Sequence, residues 1–364
     1  MSEGSTMAAA PPPAHRLSRL RLSWRRLSLR LGRIGLGGQI ALALVLSVIC
    51  SAVLILLAGK NPGLAFLAIV DGAFGSPHQI GTGLNRATPY LLAGIGVAIC
   101  FRGGIINLGS EGQIAVGGAG AAAAALLTPA LPAFLAIPLA LAAGAAAGAL
   151  WSGLAAAIHL KRRVHEVLAT LLLNFVALLL VQQLLAGVLG QTGAGFLQSP
   201  LMPRNVWLPK LAGWDAHLGI VIAVAAAALS SFLLWRTPFG FGLRVSGASR
   251  LAGAYAGFSL PRLTWSAMLL AGALAGLAGG IEILGLHHRL IEGFSLGFGF
   301  KAVTVALIGA IEPVAIIPAA LFIGFLETGS LAMQRQIGVP TALVTVIEGL
   351  TMIFVLVAMS GRRR

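Results

Sequence analysis

Apolar stretches of about 20 residues, repeated along the whole chain, constrain its fold more than any other feature; Ile40 to Ala58 is one of them. A helix rises ~1.5 Å per residue, so each stretch is long enough to cross a ~30 Å hydrocarbon core. A membrane barrel would instead show ~10-residue segments alternating apolar and polar residues, a pattern this sequence lacks. Only 10% of the residues are charged, against roughly 25% in a soluble domain, and the mean hydropathy is +0.94. The expected fold is all-α, a polytopic transmembrane helical bundle.

Ten candidate spans lie at about 38–58, 84–101, 112–128, 131–159, 167–190, 217–235, 263–285, 298–311, 313–329 and 341–359. The third, eighth and ninth are short or broken by Gly and Pro. An even count puts both ends on one side. With both termini cytoplasmic, 18 Lys and Arg fall inside and 7 outside, the asymmetry expected from the positive-inside rule. The net charge of +15 is then topological and anchors the protein to anionic membrane lipid. Nucleic-acid binding is not expected.

Three regions follow. Residues 1–37 are expected to be a disordered, Pro-rich tail leading into a basic amphipathic interfacial helix. From Arg16 to Arg33, Leu17, Leu20, Trp24, Leu27 and Leu31 recur at helical spacing with arginines between them. Residues 38–359 form the transmembrane domain, with a cytoplasmic loop at 236–262, and 360–364 form a basic cytoplasmic tail. A basic stretch before an apolar one also describes a signal peptide. Here the apolar run has span length and lacks a clear small-x-small cleavage site, so an uncleaved first span is expected.

The 48 glycines and the alanine-rich tracts suit close helix packing in lipid. Neither a catalytic constellation nor metal-ligand spacing is visible. The sequence lacks a phosphate-binding loop, a His-Glu-x-x-His pair and a Gly-x-Ser-x-Gly elbow. Cys50 and Cys100 sit in apolar spans, and His287-His288 has no third ligand nearby. No cofactor and no metal are expected, and the chain itself should not hydrolyse ATP.

Two polar segments interrupt the apolar pattern. In the first, Phe101 to Gln113, four glycines and several polar side chains break one long apolar stretch. Irregular backbone at membrane depth is tolerated only where protein or a water-filled cavity receives its polar groups. The segment is either a pathway-lining or gating element built on Asn107, Glu111 and Gln113, or a cytoplasmic turn in which Arg102 and Glu111 face water. The second, Arg236 to Arg262, carries four arginines and no acidic residue, with a short helical run at about Ser249 to Ala256. It suits docking onto a soluble partner, with lipid-headgroup binding as the alternative. Glu282, Glu327 and Glu348 also fall in apolar spans, where a carboxylate is costly.

At these segments the chain resembles the permease subunits of ABC importers for nucleosides and simple sugars, relatives of the ribose and branched-chain amino acid permeases. Asn107-Leu108-Gly109-Ser110-Glu111-Gly112-Gln113 is similar to the family's Asn-Ile-Gly-Ala-Glu-Gly-Gln. Further matches are Thr88 to Gly94, Val164 to Val167, Thr170 to Asn174, Gly247 to Gly257 with its Tyr255-Ala256-Gly257, Ala273 to Gly279, Gly293 to Ser295, Gly299-Phe300 and Gly338 to Pro340. The match covers roughly residues 84 to 359.

The resemblance implies a second, non-identical permease subunit, an ATPase subunit with two nucleotide-binding domains, an extracytoplasmic solute-binding lipoprotein, and a bacterial inner-membrane location. It implies a substrate pathway near Asn107, Glu111, Gln113, Glu282, Phe300 and Lys301. It also implies coupling to the ATPase through Gly247, Ser249, Arg250, Tyr255, Ala256 and Gly257. Three departures stand out. The coupling block reads Gly247-Ala248-Ser249-Arg250 where the family has Gly-x-Asn-Pro, leaving Ser249 as the helix cap. Lys301 replaces an acidic residue, which puts nucleoside specificity in question. Glu312-Pro313 stands in a loop that often carries Asn. The rival class is a self-sufficient carrier or channel that couples transport to protons or sodium through the intramembrane carboxylates.

Overall fold

The structure, a computed structural model, describes residues 36–211 and 213–360. The amphipathic helix expected at Arg16–Arg33 and the arginines of the basic tail lie outside them. Among the described residues the fold is all-helical, apart from two isolated β-bridges.

Helix α1 (Leu36–Leu57) and α2 (Pro62–Phe74) form a pair bent by 120°. Asn61 caps α2, its Oδ1 accepting from the N–H groups of Gly63 and Leu64, and Pro62 opens the first turn. The remaining helices are α3 (Pro77–Arg102), α4 (Ser110–Leu127), α5 (Ala133–Arg162), α6 (Glu166–Ala186), α7 (Gly219–Arg236), α8 (Pro238–Ala248), α9 (Arg250–Tyr255), α10 (Leu260–Glu282), α11 (Phe298–Ile308), α12 (Pro313–Ile337) and α13 (Thr341–Ser360). A π turn, Ile283–His287, extends α10.

Seven helices (α3, α5, α6, α7, α10, α12 and α13) are long and apolar enough to cross a membrane, and the bent α1–α2 pair raises the number to eight. The sequence reading expected about ten spans. The difference lies in α4 and α11. Helix α4 opens with Ser110-Glu111-Gly112-Gln113 and is polar at its start. Helix α11 has 11 residues, roughly 16 Å, or half the thickness of the hydrocarbon core. The segment 236–262 also differs from expectation. It is not a loop with one short helix but two consecutive helices, α8 and α9. Thr237 caps α8 by accepting from the N–H of Gly240, with Pro238 in the first turn, a start that glycine-rich composition conceals.

Helix α3 is the axis of the bundle, buried from Ala87 through Cys100 between α10 and α12. Beside it α4, α5 and α10 meet along a glycine seam. A side chain built on Gly276 would lie 2.3 Å from the carbonyl oxygen of Gly144, and one on Gly279 would lie 2.1 Å from that of Ile114. Backbones this close require residues without a Cβ. On the other flank α12 packs against α2, and α13 against α1, where Ser47 and Thr351 share a buried 2.6 Å hydrogen bond.

Candidate translocation site

Between α3 and α4 the chain is irregular through 105–109, and α6 holds it there. The N–H of Leu108 donates to Thr170 Oγ1 (3.3 Å), Asn174 Nδ2 donates to the Leu108 carbonyl (2.8 Å), and the N–H of Gly112 donates to Asn174 Oδ1 (2.9 Å). Asn107 and Gln113 pair their side-chain amides, at 3.4 and 3.2 Å, and Asn107 Oδ1 also accepts from the N–H of Gly109. Both side chains are buried. The polar motif is thus a plug whose amide groups satisfy one another.

Glu111, 2% exposed, reaches out of this plug to another helix. Its carboxylate accepts from the N–H groups of Gly297 (2.8 Å) and Gly299 (2.7 Å), the free donors at the start of α11. A carboxylate here satisfies orphan N–H groups and complements the positive end of the helix. The fit needs glycine at 299, because a Cβ there would lie 2.2 Å from the Glu111 nitrogen. Glu111 does not face cytoplasmic water, so the surface-turn reading of this segment is set aside.

Lys301 stands one turn along α11, in a charge network. Its ammonium lies 3.2 Å from carboxylate oxygens of both Glu327 and Glu348, and Arg86 pairs with Glu327 at 2.8 Å. The Tyr90 hydroxyl bonds to Glu327 as well. The positive charge that departs from the family pattern is therefore matched on α12 and α13. Phe300, beside it, is half exposed. Glu282, at the end of α10, is buried, with one oxygen 3.4 Å from His287 Nε2 and the other without a hydrogen-bond partner.

At the opposite end of α3, the Arg102 Nε donates to the Ile311 carbonyl, its Nη2 bonds Glu312 at 3.1 Å, and Trp235 Nε1 donates to Glu312. Arg244 of α8 lies over the Trp235 ring, 4.3 Å from its centre. This is the base on which α8 and α9 rest. Gly247 meets the Arg102 carbonyl so closely that a Cβ would lie 2.0 Å away. Ser249 caps α9 by accepting from the N–H of Ala252, as the sequence suggests. Arg250, Tyr255, Ala256 and Gly257 are all exposed, Tyr255 at 85%.

On the face where α3 begins, the segment 188–218 folds over the return from α10. Ser199 N–H donates to the Leu290 carbonyl, Met202 N–H to that of His288, and Glu292 N–H to that of Leu197. Asp215 ties this cover to α3 through His78, with Asn85 Nδ2 donating to its carbonyl, and pairs within the cover with Lys210 (2.8 Å). Hydrogen bonds from Lys210 first and His78 second hold its carboxyl down to about 2.

A multi-pass helical bundle with broken helices, a buried polar plug and an exposed basic platform at one end belongs to the class of membrane transport permeases. The chain is a member of the family described as branched-chain amino acid transport system / permease component, whose model matches residues 79–356. It is 33% identical over 318 residues to the guanosine ABC transporter permease protein NupP of Bacillus subtilis, covering 86% of this chain and 91% of that one. It is 34% identical over 305 residues to the glucose ABC transporter permease protein TsgB13 of Haloferax volcanii (81% and 79%). It is 27% identical over 326 residues to the nucleoside ABC transporter permease protein NupB of Lactococcus lactis (87% and 89%). The family resemblance read from the Asn107–Gln113 and Gly247–Gly257 blocks therefore holds.

The structure brings Asn107, Glu111 and Gln113 together and joins them to Gly297 and Gly299, which sequence reasoning did not place with them. It separates Lys301 into its own network with Arg86, Glu327 and Glu348. Only the costly carboxylates at 327 and 348 signalled that network in the sequence.

Proposed function

We propose that this chain is one of two membrane-spanning subunits of an ATP-driven importer for a nucleoside or simple sugar in a bacterial inner membrane. The single observation that carries the reading is the bond from Glu111 to the start of α11, which makes α4 and the half-length α11 one unit. Such a unit can tilt as a whole between inward- and outward-facing states without exposing orphan backbone groups. An even number of spans with both ends cytoplasmic fits the charge distribution and puts α8–α9 on the ATPase side. There Gly247, Ser249, Arg250, Tyr255, Ala256 and Gly257 would meet a separate ATPase subunit with two nucleotide-binding domains. A second, non-identical permease would complete the pathway, and an extracytoplasmic lipoprotein would deliver solute. In this reading Asn107, Glu111, Gln113, Glu282, Phe300 and Lys301 line or frame the pathway. Lys301 does not call for an anionic solute, since two carboxylates neutralise it. The named solutes of the relatives, guanosine and glucose, are the first to test.

A self-sufficient carrier is less well supported, because three of the four intramembrane carboxylates, Glu111, Glu327 and Glu348, are already bonded to donors, and only Glu282 keeps an oxygen without a partner. The test uses proteoliposomes. Uptake of labelled guanosine or glucose is expected only from the complex of both permeases with the ATPase, ATP and the binding protein. Uptake by the purified single chain would overturn the reading.

A further inference from the structure

Beside the plug, α4, α6 and the segment 292–296 line an open pocket of about 130 Å³. Ala115, Leu178, Val181 and Phe294 supply apolar walls, and Gln182, Glu292 and Ser295 supply polar groups. Gln182 Nε2 donates to Glu292 Oε1 at 2.8 Å, which leaves the second amide hydrogen, the amide oxygen and the other carboxylate oxygen to serve a guest. Ser295 is 1% exposed, and its hydroxyl has no hydrogen-bond partner among the described residues. Of the buried side-chain polar atoms without a partner among the described residues, the Ser295 hydroxyl is the one that belongs to the pocket lining, and a guest hydroxyl would satisfy it. Behind the pocket, the His287 ring meets Phe294 edge-on (centres 6.5 Å apart, 73°) and lies 3.4 Å from Glu282, so the buried Glu282 backs the aromatic wall.

The backbone shows which way the pocket faces. Segment 293–297 is a run of turns adjoining α4 beside Glu111, and the pocket mouth carries the exposed side chains of Gln182 and Glu292, an amide and a carboxylate that lipid would not solvate. Gly297, at φ +89°, borders open space, and Glu292 and Leu296 beside it are exposed. This surface therefore faces water or a second protein rather than lipid.

We infer that the pocket is this subunit's solute subsite and takes one uncharged, hydroxyl-bearing ring, the furanose or pyranose of a nucleoside or sugar. The inference rests on the proposed importer function and deepens it. A lone carboxylate without a cation in the lining rejects anions. The paired amide and carboxylate match the alternating donors and acceptors of vicinal hydroxyls, while the apolar walls take the C–H face of the ring.

The test uses the full complex with Cys50→Ser and Cys100→Ala as background. Ser295→Cys is exposed to a water-soluble methanethiosulfonate, with and without saturating guanosine or glucose. The thiol is expected to react, and the transported solute is expected to slow that reaction. In parallel, Gln182→Ala is expected to raise the half-saturating solute concentration about tenfold, the loss of roughly one hydrogen bond to a guest. A Ser295→Cys thiol that stays unlabelled while Glu292→Cys reacts would overturn the subsite. So would labelling that solute never slows together with an unchanged half-saturation in Gln182→Ala. Failure of the wild-type complex to move either solute is a separate result, visible before any variant is made, and it sinks the functional reading instead.

Discussion

Glu111 shows how one side chain can be read in two ways from sequence and in only one from structure. A carboxylate among glycines signals either a water-facing turn or a buried device. Its partners decide between them, yet they are the N–H groups of Gly297 and Gly299, 186 and 188 residues away, and glycine leaves no side-chain trace of such a contact. Removing the carboxylate leaves two backbone donors without their acceptors, that of Gly299 buried and that of Gly297 partly so. Glu111→Ala is therefore expected to cost about 2–3 kcal/mol, and Glu111→Gln, which keeps one acceptor oxygen, about half as much. Thermal unfolding of the detergent-solubilised protein measures both, and an alanine variant that melts with the wild type would refute the capping role. Asp215 gives a test with a pH sign. Its folded-state carboxyl is depressed to about 2, so its contribution is fully present above the ordinary carboxylate range and is lost as pH falls through about 2. Asp215→Asn should thus melt below the wild type at pH 5, and the gap should close as pH falls from about 4 through about 2. Equal melting of the two proteins at pH 5 would show that the Lys210–Asp215–His78 clasp does not form.

At the scale of elements, hydropathy was enough to find the long helices, because about 20 apolar residues in a row have few other uses. It was not enough for α2 and α8, which are 13 and 11 residues long and whose starts depend on local caps at Asn61 and Thr237. Nor did it show that α11 stops at half depth. What holds that short helix is polar at both its start and its side: Glu111 caps it, and Lys301 ties it to α12 and α13. Lys301→Ala would leave Glu327 and Glu348 near each other with Arg86 as the remaining cation. Because the groups are only partly shielded from solvent, a loss of about 2 kcal/mol is expected, less than for a fully buried pair. Adding Glu348→Gln to Lys301→Ala should restore part of it, and additive losses in this double-mutant cycle would show that the two side chains do not interact. The glycine seam makes a sharper demand. Gly276→Val places side-chain atoms where the Gly144 carbonyl oxygen lies 2.3 Å from the first carbon, and α10 must move off α5. The variant is expected to fail to accumulate as folded protein in the membrane fraction, whereas Gly349→Ala, at a position with no neighbour within 4 Å, is expected to accumulate normally.

Over the whole molecule, the two polar interruptions in the sequence lie on one structural path. The Arg102 end of α3 carries the Gly247 backbone of α8, and the chain that leaves Arg102 runs directly into the plug that holds Glu111 and α11. The contact between α8 and the start of the plug has no slack, since a single added Cβ at 247 would lie 2.0 Å from the Arg102 carbonyl, so under the proposed function a push on α8–α9 would reach the plug through backbone. Tyr255 and Leu251 project from α9 with 85% and 66% of their surface exposed, so they contribute little to the fold of this chain. Their substitution should act only where another protein presses on them. Tyr255→Ala is expected to melt within about 1 °C of the wild type as an isolated subunit, yet to reduce solute-stimulated ATP hydrolysis by the assembled complex at least tenfold. Gly247→Ala should also impair that stimulation, but with a lower melting temperature, because it strains the chain itself. Retention of full solute-stimulated hydrolysis in Tyr255→Ala, with the ATPase still copurifying, would mean that force enters the permease elsewhere than through α9.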